Sequence, residues 1–254
     1  MALHTAERTS QLDPSENVIF QRHVIAYEET AKRVSGKVLE IGSGEGYGIR
    51  LLAPKTTEYV AVDKFNTASI NNAENVKFIQ ASVPPLTFAK DNSLDFVVSF
   101  QVIEHIVKDN FFVQEIHRVL KPGGKVILTT PNIKMSLTRN PWHVREYKLE
   151  ELRDLLKKYF PNVSMQGVFG GKKVMDYYEE NKRSVQKFTR YDIFNLQYRL
   201  PRQVLQIPYD IMNRMNRKKL LKANTGTVQE ITSTDFYLSE ANDTCLDFYC
   251  IAEK

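Results

Sequence analysis

Eight consecutive residues, Asn140-Pro141-Trp142-His143-Val144-Arg145-Glu146-Tyr147, gather the chain's single tryptophan with a histidine, an arginine, a glutamate and a tyrosine. An imidazole titrating near neutrality can take a proton from an incoming nucleophile, and a nearby cation or phenol can orient that nucleophile. His143 is therefore the candidate general base, with Trp142, Arg145 and Tyr147 as candidate substrate contacts. The plain structural alternative is a helix-entry loop pinned by Trp142. His105, directly after Glu104, is the second candidate for proton transfer, its alternative being a helix-start residue bonded to backbone. His117 falls inside a helix-like stretch and reads as a surface residue, and His4 precedes any periodic pattern. The histidines lack H-x-x-x-H spacing and the cysteines lack a close pair, so no metal centre is expected. Ser43 and Ser99 lack the G-x-S-x-G setting of a hydrolase nucleophile.

A second constellation is Glu40-Ile41-Gly42-Ser43-Gly44-Glu45-Gly46, with Gly48 beyond it, following the apolar run Lys37–Ile41 and preceding a helix-like stretch. Glycines at this spacing permit a tight turn and the close approach of a ligand to the backbone. A dinucleotide loop of the form G-x-G-x-x-G would place its third glycine at position 47, where Tyr47 stands. Glu40 would repel a pyrophosphate and favour a cationic ligand. The balance tilts from NAD to S-adenosylmethionine, whose sulfonium and amino groups are positive. Asp63 ends the next apolar run, where a carboxylate can accept from both ribose hydroxyls.

The elements that must hold these groups alternate. Residues 15–34 have helical periodicity behind Asp13-Pro14-Ser15. Strand-like runs follow at Lys37–Ile41, Glu58–Asp63, Val76–Gln80, Leu94–Phe100 and Lys125–Thr130. Helical patterns fill Tyr47–Leu52, Asn110–Leu120 and Leu149–Tyr159, with Lys121-Pro122-Gly123-Gly124 as a stop. Continuously apolar strands alternating with helices predict a parallel sheet covered on both faces. Asn162–Phe169 reads as a further strand and Cys245–Ala252 as a closing one. Cys245 and Cys250 sit at odd spacing on that strand, on opposite faces, so no disulfide between them is expected. A reducing cytoplasm is the simplest setting.

Four ordered segments, VLEIGSGEGYG (38–48), VAVD (60–63), LDFVVSFQVIEHI (94–106) and RVLKPGGKVILTTPN (118–132), resemble class I S-adenosylmethionine-dependent methyltransferases of the type 11/23 group. The resemblance covers about residues 20–170. It implies an α/β Rossmann-like fold with a seven-stranded, mostly parallel sheet, an antiparallel last strand and a helical insertion before it. The implied organisation is an N-terminal helical entry segment over 1–35, a cofactor-binding core over 36–170 plus 245–254, and an inserted lid or substrate subdomain over 171–244. By position, Gly42, Ser43, Gly44 and Gly46 would carry the cofactor's amino-acid portion and ribose, Glu40 would lie beneath the methionine moiety, and Asp63 would bind the ribose. Lys64 and Phe65 would flank the ribose and adenine. Phe100, Gln101 and Val102 would floor the reactive methyl, and Tyr27 and Arg22 would close the pocket. Ser82 stands where many relatives have an aspartate for the adenine amino group, a departure from the pattern.

The 254 residues carry a net charge of +5 with 42% apolar residues, a globular composition. The longest apolar stretch, around Phe96–Ile103, is far short of the ~18 residues of a membrane span, and no signal-peptide pattern opens the chain. The charge is uneven. Residues 181–222 contain eleven basic and two acidic side chains, a net +9, which leaves −4 for the remainder. Three explanations stay open: a lid with solvated charges, a gate for an anionic acceptor such as a sugar, nucleotide-sugar or lipid-phosphate, or a surface for RNA or membrane. No dedicated RNA-binding motif accompanies the charge. The expected activity is methyl transfer from S-adenosylmethionine to a small-molecule or glycan-like acceptor, leaving S-adenosylhomocysteine. O-methylation is favoured because His143 supplies a base. The competing expectation is a cofactor-binding fold without catalysis that serves as an interaction module, or a methyltransferase acting on RNA or a lipid-linked substrate.

Overall fold

A computed structural model describes residues 12–66, 73–223 and 225–254. His4 lies outside the described residues. The short apolar runs form the centre of a sheet whose two faces are covered by helices. Strands β1 (Lys37–Ile41), β2 (Glu58–Asp63), β3 (Val76–Gln80), β4 (Leu94–Phe100), β5 (Leu120–Pro131), β6 (Asn162–Gly170), β7 (Phe236–Glu240) and β8 (Asp247–Glu253) make one sheet in the order β3-β2-β1-β4-β5-β8-β6-β7. The five strands β1–β5 pair in parallel. β8 runs antiparallel between β5 and β6.

The helices are α1 (Asn17–Ala31), α2 (Tyr47–Leu52), α3 (Asp109–Val119), α4 (Leu149–Lys157), α5 (Lys172–Thr189), α6 (Leu196–Arg199), α7 (Arg202–Ala223) and α8 (Thr225–Glu230). Alternate strand residues feed two cores. Leu39, Val97 and Leu128 pack with Phe112, Ile116 and Leu156 on one face of the sheet. Val38, Val98 and Ile127 pack with Ile25, Ile49 and Val228 on the other. This two-sided burial is why the strands read as unbroken apolar runs. Cys245 and Cys250 are buried free thiols.

The sheet has eight strands rather than seven. The additional strand, β7, falls within the segment expected to be a helical insertion. Its five residues, Phe-Tyr-Leu-Ser-Glu, are too few to show a strand period in isolation. Their register comes from antiparallel pairing with β6, Phe169 opposite Tyr237 and Gly170 opposite Phe236. The helical segment α5–α8 thus leaves the sheet after Gly170 and returns at Phe236, and Gly171 N–H donates to the Asp235 carbonyl at 2.7 Å. It is fastened to the N-terminal helix by a buried Arg217–Glu16 ion pair at 3.1 Å. Asn17 Nδ2 adds bonds to the carbonyls of Val228 and Ile231, both 2.8 Å.

Candidate active site

The glycine loop emerges from the carboxyl end of β1. Gly42, Gly44 and Gly46 hold φ of 81°, 55° and 78°, a region that side-chain-bearing residues enter at a cost. A Cβ at Gly42 would strike the Val102 side chain at 2.3 Å, whereas one at Gly44 would meet nothing within 4 Å. The loop is packed on one side and open on the other. Gly44 N–H donates to Asp63 Oδ2 and Phe65 N–H to Asp63 Oδ1, both at 2.9 Å, so the carboxylate is aimed across the loop mouth. An ionised carboxylate offers about four acceptor positions, which leaves capacity for two ribose hydroxyls. Lys64 lies 4.9 Å over the Phe65 ring beside it. Ser43 Oγ is buried without a hydrogen-bond partner among the described residues. The open cradle at Gly44, the aimed carboxylate and the unsatisfied hydroxyl fit an amino-acid-bearing nucleoside.

Glu40 is buried one step below this loop. It accepts from the Tyr27 hydroxyl at 2.6 Å and the Tyr59 hydroxyl at 2.7 Å. Burial raises its carboxyl above the ordinary value of 4.5, opposed by the two phenol bonds. Gly48 is required here, since a Cβ would lie 2.1 Å from the Tyr27 ring and 2.8 Å from Glu40 Oε1. Tyr27 also meets Phe100 edge to face at 4.6 Å, joining α1, β1 and the end of β4. Gln101, at φ 55°, donates through Nε2 to Thr129 Oγ1 at 3.2 Å. Ser82 is exposed after β3.

Beyond Gln101 opens a cavity of about 640 Å³ between the sheet, α1 and the α5–α7 segment. Its polar end holds Arg22, Gln101, Glu104, His105, His143 and Glu146, and its far walls hold Tyr178, Phe188, Phe194, Leu205 and Met212. His143 Nδ1 is 2.7 Å from Glu146 Oε1, and Nε2 is 2.9 Å from Asn140 Nδ2. A carboxylate only accepts and an amide NH₂ only donates, so the proton sits on Nδ1 and the lone pair on Nε2. His105 Nδ1 is 3.1 Å from the Trp142 carbonyl, which assigns the same tautomer. The two rings meet edge to face at 5.0 Å.

The predicted substrate contacts separate here. Tyr147 is fully buried and donates to Asp109 Oδ2 at 2.9 Å, and Arg145 stacks on its ring at 4.7 Å while pairing with the same aspartate. Neither lines the cavity. They follow the lip as it turns away into α4. Trp142 donates to Asp210 on α7 at 2.9 Å, Arg139 to the Gln197 carbonyl at 2.8 Å, and Arg202 to the His143 carbonyl at 3.1 Å. These bonds tie the lip to the helical segment. His117 packs on Phe160, remote from the site.

Sequence reasoning missed two features. Asp247, buried at the start of β8, lies 3.0 Å from Arg22 Nε. Burial raises its carboxyl and the Arg22 cation pulls it back. Glu104, His105 and His143 also bring one possible ligand atom each to within 4.8 Å of one another, a convergence of two loops that linear spacing does not reveal. Glu104 Oε2 accepts from Thr130 Oγ1 at 2.9 Å, so all three residues also belong to the hydrogen-bonded wall.

A methyltransferase domain model matches residues 39–128. A probable S-adenosylmethionine-dependent methyltransferase of Mycobacterium tuberculosis is 40% identical over 182 residues, 68% of this chain and 66% of that protein. A relative carrying the same description in Mycolicibacterium smegmatis is 38% identical over 66% of this chain and 68% of its own length. Among solved structures, a methyltransferase from Thermotoga maritima superimposes with a TM-score of 0.57 at 15% identity, covering 94% of this chain and 91% of that one. The fold is that of the Rossmann-like methyltransferases. The chain belongs to the S-adenosylmethionine-dependent methyltransferases. The glycine loop and Asp63 form the side of the molecule suited to the donor that defines this family.

Proposed function

We propose that this chain transfers a methyl group to a hydroxyl of a small acceptor whose apolar portion fills the cavity, with His143 as the general base. The observation that carries the proposal is the Glu146–His143 pair at 2.7 Å in the cavity wall. When bound, S-adenosylmethionine supplies a methyl on a positively charged sulfur, ready for in-line displacement. The chain's residues do the rest. Gly42–Gly46 and Asp63 hold the donor, and Gln101 sits between donor loop and cavity. Glu146 keeps the His143 proton on Nδ1, so Nε2 can accept the hydroxyl proton as the acceptor displaces the Asn140 amide. His105 is the neighbouring imidazole and Arg22 a fixed cation for a polar or anionic head group. The α5–α7 segment, residues 171–244 in the broad division, serves as the outer wall of the acceptor site. The apolar lining favours an amphipathic acceptor over an unadorned sugar, because apolar walls gain only from apolar contact.

The test is transfer of labelled methyl to hydroxylated acceptors of graded apolar size, with S-adenosylhomocysteine binding measured in parallel. Turnover should rise with apolar size and collapse in His143→Ala. Unchanged turnover in that variant would remove the base role, and cofactor binding without turnover on any acceptor would favour the non-catalytic interaction module.

A further inference from the structure

Among the described residues no element covers the outer face of α7, although its composition asks for one. At 100° per residue, Val204, Ile207, Ile211 and Met215 fall on one line along the helix, and their exposures are 57%, 71%, 55% and 64%. An adjoining side of the helix is already used, since Leu205, Tyr209 and Met212 wall the cavity. A helix apolar on two sides is expected to be covered on both. On the connection from α5, Ile193 is also 76% exposed, while Tyr191 and Phe194 line the cavity. Single exposed apolar residues are ordinary, but four in line along one helix mark a contact surface.

Charge identifies the occupant. Beyond Met215 the same line continues as Lys218 and Lys222, flanked by Arg214 and Lys219, and all four are exposed. The two acidic residues of 181–222 are engaged in holding the fold. Asp210 accepts from Trp142, and Asp192 accepts from the backbone N–H groups of Leu196 and Gln197. An aliphatic stripe running into a cluster of cations matches a layer with an apolar interior and an anionic surface. A second copy would set +9 against +9, and Val, Ile and Met offer bases no stacking platform. No helix among the described residues is long and apolar enough to cross a membrane, so the face would lie on the layer and not through it.

We propose that the α5–α7 face docks on anionic lipid membranes, with Ile207 and Ile211 entering the headgroup boundary and Lys218 and Lys222 contacting lipid phosphates. This goes beyond the assigned chemistry and is read without turnover, so its failure and the failure of the methyl-transfer assignment are distinguishable. The experiment is co-sedimentation of the full chain with phosphatidylcholine vesicles and with phosphatidylcholine–phosphatidylglycerol vesicles. Wild type should pellet with the phosphatidylglycerol vesicles, less so at high salt. The double variant Ile207→Glu, Ile211→Glu should bind roughly tenfold more weakly while its S-adenosylhomocysteine affinity stays unchanged, which certifies its fold. Lys218→Ala, Lys222→Ala should remove the preference for anionic vesicles. Wild type left in the supernatant, equal binding to both vesicle types, or full binding by the double glutamate variant would each overturn the proposal. So would a dimer in light scattering, dissolved by the double variant, without vesicle binding.

Discussion

The Tyr27 hydroxyl on α1 reaches across to Glu40 on β1 at 2.6 Å, and the ring carrying it rests edge-on against Phe100. One side chain thereby sets a buried carboxylate beneath the glycine loop and packs against the end of β4 next to Gln101. Tyr27→Phe keeps the ring and deletes the bond. Loss of a hydrogen bond to a charged group costs about 2 kcal/mol, or roughly 4–8 °C in Tm for a chain of this size. The Glu40 carboxyl is already raised, so its folded form holds a proton longer than its unfolded form. Its stabilising contribution is present at low pH and lost as pH climbs through the folded value. Removing the phenol raises that value further. The deficit of Tyr27→Phe should therefore be small below the ordinary 4.5 and grow above it, as thermal melts across pH would show.

Gly44→Ala separates folding from donor binding. The added methyl meets no atom within 4 Å, but it must adopt φ 55°, costing about 1 kcal/mol. It would also occupy the open side of the cradle. Stability should fall slightly and S-adenosylhomocysteine affinity at least roughly tenfold. Calorimetry showing wild-type affinity would place the donor elsewhere.

Glu146→Gln tests how the base is oriented. The amide can still bond the histidine, but it can present NH₂ to Nδ1 and invert the tautomer, leaving Nε2 protonated. The rate constant should drop about 10²-fold or more with KM little changed, and His143→Ala should not add much to that loss. Additive losses in the double variant would show that the two residues act separately.

The Glu104–His105–His143 convergence makes chelation an informative control. Each member already has a protein partner, so the proton-transfer assignment predicts that exhaustive EDTA treatment leaves turnover intact. A loss restored by a divalent ion would make the cluster a metal centre instead.

Acid stability should report on Glu115. It bonds the Arg118 guanidinium at 2.7 Å and accepts Leu86 N–H at 2.8 Å. The Arg118 bond is the leading cause holding its carboxyl below the ordinary 4.5, against the opposing effect of burial. Folding favours the ionised form, so the contribution is complete above that value and lost as pH falls through the folded one. Glu115→Gln should melt a few degrees lower at neutral pH. The gap to wild type should close in acid, and a gap constant with pH would refute the linkage.

Much of this arrangement was legible because it is local in sequence. The glycine loop, Asp63 and the strand–helix alternation each carry their signal within about ten residues, and the structure returns them as β1, β2 and their connections. What was not legible depends on distant partners. β7 exists through β6, and Asp247 gains meaning from Arg22, more than two hundred residues away. The segment 140–147 shows both sides. Its composition pointed to chemistry, yet of its aromatic and charged side chains only His143 and Glu146 line the cavity, because Asp109 holds Arg145 and Tyr147 and Asp210 holds Trp142 away from it. The direction of a side chain in a loop is decided by neighbours that the loop does not contain.

Gly170 and Phe236 face each other in adjacent strands, and everything from α5 to α8 hangs between them. In topological terms the α5–α8 wall of the cavity is an overgrown hairpin turn. It can lengthen, shorten or be exchanged for another without altering which strand neighbours which. The glycine loop and this cavity wall thus occupy separate stretches of the chain, one between β1 and α2 and the other in the excursion between β6 and β7.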